Sequence, residues 1–257
     1  MIIAVAGGKG SPGATAVAAL VAAAWPHGDA GDDSLPVLLE ADPEGGVLAA
    51  RWHRALGVTH DPGLLSLAAA REGSALERLR GHSQRAGDTL DLVAGPPGAA
   101  QTEACLRELG DSAAAALQEA PVVCVVDCGR LHPASPALPW ARSADHLLLV
   151  ARPRLDDVVT LAPAADRLRA AGLSPSLVCV GTSPFGPAEV AEHAGLPLRA
   201  VLADDPAGFA ALFVHGPGAR RVARGRLRRS VAALVGSLTG DPVPADEQAV
   251  ADGVGVR

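Results

Sequence analysis

The stretch "GGKGSPGAT", residues 7–15, decides the reading of this chain. It follows the apolar run "IIAVA" (2–6) and precedes the alanine-rich run "AVAALVAAAW" (16–25), so a small-residue loop joins a strand pattern to a helix pattern. From Gly8 the loop reads G-x4-G-A-T. A phosphate-binding loop reads G-x4-G-K-[ST]: backbone N–H groups and the following helix N-terminus receive the anion, and the hydroxyl meets Mg²⁺. Gly8, Gly13 and Thr15 fit that pattern, and Ala14 stands where the lysine belongs. Lys9 is the only lysine in 257 residues, in a chain that otherwise uses arginine for every such cation and contains no Asn or Tyr. Retention of one lysine inside a glycine loop points to a local requirement for it.

Outward from the loop, short apolar runs alternate with longer helical patterns. Strands are expected at 1–6, 36–41, 89–94, 122–127, 146–151, 176–181 and 199–203, and helices at 14–24, 103–119, 156–171, 187–194 and 219–238, with short helices and loops from 45 to 85. This alternation predicts an α/β fold: one doubly wound, mostly parallel sheet with helices on both faces, spanning 1–239 as a single domain. An apolar share of 49% with only 2% aromatics calls for an aliphatic core. Residues 240–257, polar, acidic and rich in Gly and Pro, read as a disordered acidic tail.

In an open parallel sheet, ligands sit beyond the carboxyl ends of the strands. The second expected strand ends in "LLEADPEGG", which puts Glu40 and Asp42 at its mouth; Asp42 suits the ordering of a water near a terminal phosphate, or alternatively the capping of a short helix. The strand "VVCVVD" ends in Asp127, where a carboxylate that holds the hydration shell of Mg²⁺ belongs.

With these three loops in view, residues 9–15, "KGSPGAT", resemble the deviant phosphate loop KGGxGKT of the ParA/MinD family of positioning ATPases. "EADPEGG" is similar to that family's first switch, with Asp42 on its second Asp, and "VVDCGR" to its second switch, with Asp127 on the Walker B Asp. The resemblance implies a P-loop NTPase fold that binds ATP and Mg²⁺. Gly8, Lys9, Gly10, Ser11, Pro12, Gly13, Ala14, Thr15 and Ala16 would line the nucleotide, Thr15 and Asp127 would serve the metal, and Lys9 and Asp42 would be the catalytic pair. In that family the first lysine crosses a dimer interface, so Lys9 implies an ATP-dependent homodimer. The implied work is spatial positioning or assembly, at a septum, in chromosome partition, or for pilus or secretion machinery, with a protein cargo or membrane-associated machine as partner. The departures are Ala14 for lysine, Ser11 for glycine, Ala16 for threonine, and Gly181-Thr182 where an adenine-reading Asn is usual. The "GSPG-T" form looks most like the degenerate TadZ/CpaE-like branch.

Loss of the Ala14-position lysine removes a charge-assisted hydrogen bond, about 1.5 to 3 kcal/mol or a 10- to 150-fold loss of affinity. Hydrolysis loses more, about 10² to 10³ in rate for one missing donor to developing charge. Holding ATP with weak or no hydrolysis is therefore the expectation, a slow ATPase at most. Two rival readings stand beside it. Gly8 to Gly13 also spells G-x-G-x-x-G, with Glu40 or Asp42 as the ribose-binding acid of a Rossmann NAD protein, although Pro12, Thr15 and Asp127 speak against it. Alternatively the loop has decayed and the domain is an interaction module without nucleotide.

The net charge of −6 argues against a protein that coats nucleic acid, yet Arg220, Arg221, Arg224, Arg226, Arg228 and Arg229 cluster in a stretch without Asp or Glu from 206 to 240. Leu227, Val231, Leu234 and Leu238 recur at helical spacing, so the expectation is a docked helix with a solvated arginine face; contact of Arg220, Arg221, Arg224 and Arg228 with DNA or an anionic membrane is the alternative. A start without a basic leader and the lack of a long apolar run predict a cytoplasmic protein, peripheral at membrane or nucleoid if those arginines bind there. Cys105, Cys124, Cys128 and Cys179 lack CxxC spacing and read as buried thiols; His53, His60, His82 and His132 lack metal-ligand spacing.

Overall fold

The opening β-branched and alanine run forms strand β1 (Ile2–Gly7), buried along its whole length, as a strand covered on both faces must be. The structure is a computed structural model that describes residues 1–8, 13–26, 35–219, 222 and 225–240. After β1 come α1 (Ala14–Ala24), β2 (Val37–Glu40), α2 (Leu48–Leu56), α3 (Leu64–Ala69), α4 (Ala75–Gly81), β3 (Gln84–Arg85), β4 (Asp91–Val93) and α5 (Ala99–Gln118). The second half runs β5 (Cys124–Arg130), α6 (Leu138–Arg142), β6 (His146–Ala151), α7 (Leu155–Ala170), β7 (Pro175–Val180), α8 (Pro187–Ala194), β8 (Leu198–Leu202), α9 (Pro206–His215) and α10 (Arg226–Thr239).

The strands form one sheet in the order β3-β4-β2-β5-β1-β6-β7-β8, parallel throughout except for β3 against β4. β1 lies inside the sheet, and the chain builds outward from it first toward β4 and later toward β8, so the crevice at its carboxyl end is the switch point of the topology. Side chains alternate between two aliphatic layers. Ile3, Val5, Leu38, Val125, Leu148 and Val150 pack with α1, α2, α9 and α10. Ile2, Ala4, Val126, Leu147 and Leu149 pack with α3, α5, α6, α7 and α8. Trp52 and Trp140 are the large anchors, one in each layer, both 0% exposed; the Trp52 indole N–H donates to the Leu212 carbonyl of α9 at 2.9 Å.

The doubly wound sheet and all seven expected strands are present. β3 is additional, a two-residue antiparallel edge whose Arg85 pairs with Asp91 of β4 at 2.9 Å. Several expected helix bounds are corrected. The helix expected at 103–119 begins at Ala99, behind Gly98, and is interrupted at Gly110, which adopts φ +56. The helix expected at 219–238 is only α10, because Gly225 at φ +109 starts it. The chain before it holds α9, which Asp205 caps by accepting the Gly208 N–H at 3.0 Å and Pro206 opens at the first turn. α10 docks its Leu227, Val231, Leu234, Val235 and Leu238 stripe as expected and leaves Arg226, Arg228 and Arg229 exposed. Of the tail expected at 240–257, Gly240 caps the end of α10 and residues 241–257 lie outside the described residues.

Candidate functional site

Strand register assembles the site. Val5 of β1 pairs with Asp127 of β5, and Asp127 pairs with Glu40 of β2, so two carboxylates stand side by side at the carboxyl edge. By alternation from Leu38 and Val125, both fall on the layer that carries α1. Their environments differ. Glu40 is 1% exposed, and its carboxylate accepts three backbone N–H groups: Val47 at 2.6 Å and Leu48 at 2.9 Å on Oε1, and Gly95 at 3.0 Å on Oε2. Burial raises its pKa and those three bonds oppose the rise. It therefore caps the first turn of α2 from a distance and ties the loop after β2 to the loop after β4. Gly46 permits this approach, since a Cβ there would come within 2.5 Å of the Glu40 carboxylate.

Asp127 is fully buried but incompletely satisfied. Its Oδ1 accepts the Gly129 N–H at 3.2 Å, whereas Oδ2 has no hydrogen-bond partner. Burial pushes its pKa up to about 7, the Thr15 hydroxyl favours the charged form, and Asp42 and Glu40 disfavour it. A buried carboxylate oxygen without a donor is costly unless a further group completes it. Asp42 closes the same corner. Its Oδ1 accepts the Glu44 N–H at 3.0 Å in a tight turn, and its carboxyl group lies on the Cα of Gly129, itself at φ +55. Burial raises the Asp42 pKa, against the Glu44 N–H. Helix capping, the alternative role for Asp42, belongs instead to Glu40.

On β1's side, Gly13 adopts φ +101, a conformation that suits glycine alone, and its carbonyl accepts the Val17 N–H at 2.9 Å to start α1. Ala14 and Ala16 are buried in the core, and Thr15 is half-buried with its hydroxyl toward Asp127. Gly8, directly after β1, is the last described residue before the loop. Lys9, Gly10, Ser11 and Pro12 lie outside the described residues, as do Arg220, Arg221 and Arg224. The donor set of one hydroxyl, one buried carboxylate with an orphaned oxygen and a second carboxylate beside it fits a hard divalent cation such as Mg²⁺, which keeps much of its water and takes few protein ligands. Among the described residues no group of three or more His, Cys, Asp or Glu forms a dedicated metal cage.

The β6 to β8 side of the crevice carries further charged residues at strand ends. Asp157 in the first turn of α7 accepts the Arg152 backbone N–H at 3.0 Å and so ties the start of that helix to the end of β6. Asp205 is occupied by the α9 cap, while Asp204 stands beside Gly181, at φ +94 past the end of β7. Arg152, just past β6, has one sequence signal, a charge directly after the apolar run "HLLLVA". The cysteines are all buried, and His53 and His60 bond to backbone carbonyls of Val58 and Gly95. No helix among the described residues is long and apolar enough to cross a membrane.

No protein-family model matches the chain, and no curated protein matches it by sequence. Solved structures do match. The cell division ATPase MinD of Pyrococcus furiosus aligns with 93% of this chain and 98% of its own at a TM-score of 0.71 and 20% identity. A ParA family ATPase from Chlorobium tepidum aligns over 91% and 98% at 0.74 and 17%. The septum site-determining protein MinD of Pyrococcus horikoshii, complexed with Mg-ADP, aligns over 98% and 99% at 0.70 and 18%. At these identities the likeness is one of fold: the structural neighbours are MinD and ParA family ATPases, and the chain shares their mostly parallel, doubly wound sheet.

Proposed function

We propose that this chain binds ATP with Mg²⁺ at the carboxyl ends of β1, β2 and β5 and acts as a nucleotide-dependent positioning or assembly factor with weak or no hydrolysis. The observation that carries the reading is the orphaned Oδ2 of Asp127, buried beside Thr15 and Asp42 at the switch point of a P-loop fold. Gly8 to Ala16 would line the phosphates, with Lys9 as the loop's ammonium. Thr15 and Asp127 would hold Mg²⁺, whose charge offsets the phosphates and the Asp127–Asp42 repulsion. Asp42 would orient a water toward the terminal phosphate. A solved neighbour of this fold, the MinD of Pyrococcus horikoshii, is described with Mg-ADP, which supports the choice of ligand.

Ala14 has no polar group to offer the phosphates, which supports slow turnover and a role for bound nucleotide as a state signal. A homodimer formed through Lys9 would couple nucleotide affinity to self-association by one shared factor. Its partners would be a protein cargo or membrane-associated machine, with Arg220, Arg221, Arg224 and Arg228 the place for DNA or anionic membrane and a cytoplasmic, surface-recruited location the consequence. The dinucleotide reading loses one of its two candidate acids, because Glu40 spends both carboxylate oxygens on backbone N–H groups; Asp42 is the other. A second reading, an interaction module without nucleotide, is favoured by one observation, the burial of Ala14 in the core at the key cation position.

A fluorescent ATP analogue titrated with and without Mg²⁺, beside NADH, tests the proposal. Mg²⁺-dependent binding of the ATP analogue that disappears in Asp127→Asn is the expected result; binding of NADH alone, or of neither, overturns it.

A further inference from the structure

We infer that Arg152 is a phosphate-binding residue that stands in for the lysine missing at position 14; this rests on the nucleotide reading above and adds to it a cation from a different strand. Arg152 follows β6, and β6 lies directly beside β1, with Val150 paired to Gly7. It is therefore two residues past that pairing, next to the place where β1 opens into the glycine loop. Along β6, Leu148 and Val150 pack on the α1 layer and Leu147, Leu149 and Ala151 on the other. Continued alternation puts Arg152 on the α1 layer, the layer of Asp127 and of the helix that Gly13 starts.

The guanidinium there is unpartnered. Nε is buried and has no hydrogen-bond acceptor, no carboxylate pairs with the side chain among the described residues, and the nearby Asp157 accepts the backbone N–H of Arg152 instead. The residue as a whole is half-buried, so part of it reaches solvent although Nε does not. A buried donor on a permanent cation without an acceptor is an expensive arrangement in an isolated fold. The complementary group is an anion with several oxygens, and an arginine fork fits phosphate. Asp127 and Asp42 repel that anion unless Mg²⁺ is present, whereas Arg152 approaches from the β6 side and attracts it directly. The ligand class is therefore a polyphosphate chain, read by charge and not by base.

Calorimetric titration of Mg²⁺-ATP, Mg²⁺-tripolyphosphate and adenosine into the full chain, Arg152→Ala and Arg152→Lys tests this, with thermal melting of each variant as the control for folding. Arg152→Ala should lose about 10- to 100-fold in affinity for ATP and tripolyphosphate alike, with adenosine unchanged, and Arg152→Lys should lose less. Ala14→Lys added to Arg152→Ala should recover most of the loss, and more than it adds to the unaltered chain, because the two cations serve one group. If the unaltered chain binds ATP and Arg152→Ala binds it equally well, the Arg152 inference falls and the nucleotide reading stands. If the unaltered chain binds no nucleotide, both fall.

Discussion

The carboxyl group of Asp42 lies on the Cα of Gly129, so no side chain at position 129 can coexist with it. This contact joins the loop after β2 to the end of β5 and keeps Asp42 within repulsive range of Asp127. Gly129→Ala meets two penalties, the overlap and the positive φ, of which the second alone costs about 1 to 2 kcal/mol. We expect a lower melting temperature and displacement of Asp42, read as weaker Mg²⁺-dependent nucleotide binding. A variant with unaltered binding would show that Asp42 acts elsewhere.

Glu40 supports the same corner by structure alone. Glu40→Ala leaves the N–H groups of Val47, Leu48 and Gly95 without their acceptor, each worth about 1 to 3 kcal/mol if left unsatisfied. Urea unfolding should register a loss of several kcal/mol, larger than for Asp42→Ala, whose bond from the Glu44 N–H lies in an exposed turn.

Asp127 makes stability depend on pH. Its folded pKa of about 7 exceeds the usual carboxylate value of about 4, so between those limits the folded state holds a proton that the unfolded state has released. In chelator-treated protein, stability therefore falls as pH rises from about 4 to about 7 and stays lower above that. Mg²⁺ binds the charged form, so its stabilising effect should grow across the same window. Melting curves from pH 5 to 8 should show the slope in the unaltered chain and a smaller one in Asp127→Asn.

Ala14→Lys restores the donor that the loop pattern expects. Phosphate release should rise, by up to about 10² to 10³. Lys9→Ala should instead abolish nucleotide-dependent dimerisation, read by sedimentation with ATP and Mg²⁺; a persistent dimer would place the interface elsewhere.

Much of this architecture is legible in the residues themselves. "HLLLVA" and "IIAVA" are continuous apolar runs that only strands covered on both faces require, and Gly13 before an alanine-rich run marks the loop-to-helix joint. The seven-residue spacing from Glu40 to Val47 carries no motif, so the role of Glu40 emerges only when β2, α2 and the loop after β4 meet in space. Arg152 is hidden for the same reason, because its place beside the glycine loop depends on β6 pairing with β1 across 143 residues of chain. α9 carries a start and stop signal that the expected helices omit: Asp205-Pro206 before an apolar run, with Gly216 after it. β3 is two residues long, too short for any periodicity to declare it.

Isothermal titration of Mg²⁺-ATP into the folded chain and into Asp127→Ala, with mass determined in the same samples, tests the central claim most directly. The account predicts saturable heat with an affinity of about tens to hundreds of micromolar, given one missing charge-assisted bond, a shift toward dimer, and loss of both in the variant. Absence of heat with any nucleotide from protein that melts cooperatively, or binding that Asp127→Ala leaves intact, would contradict it.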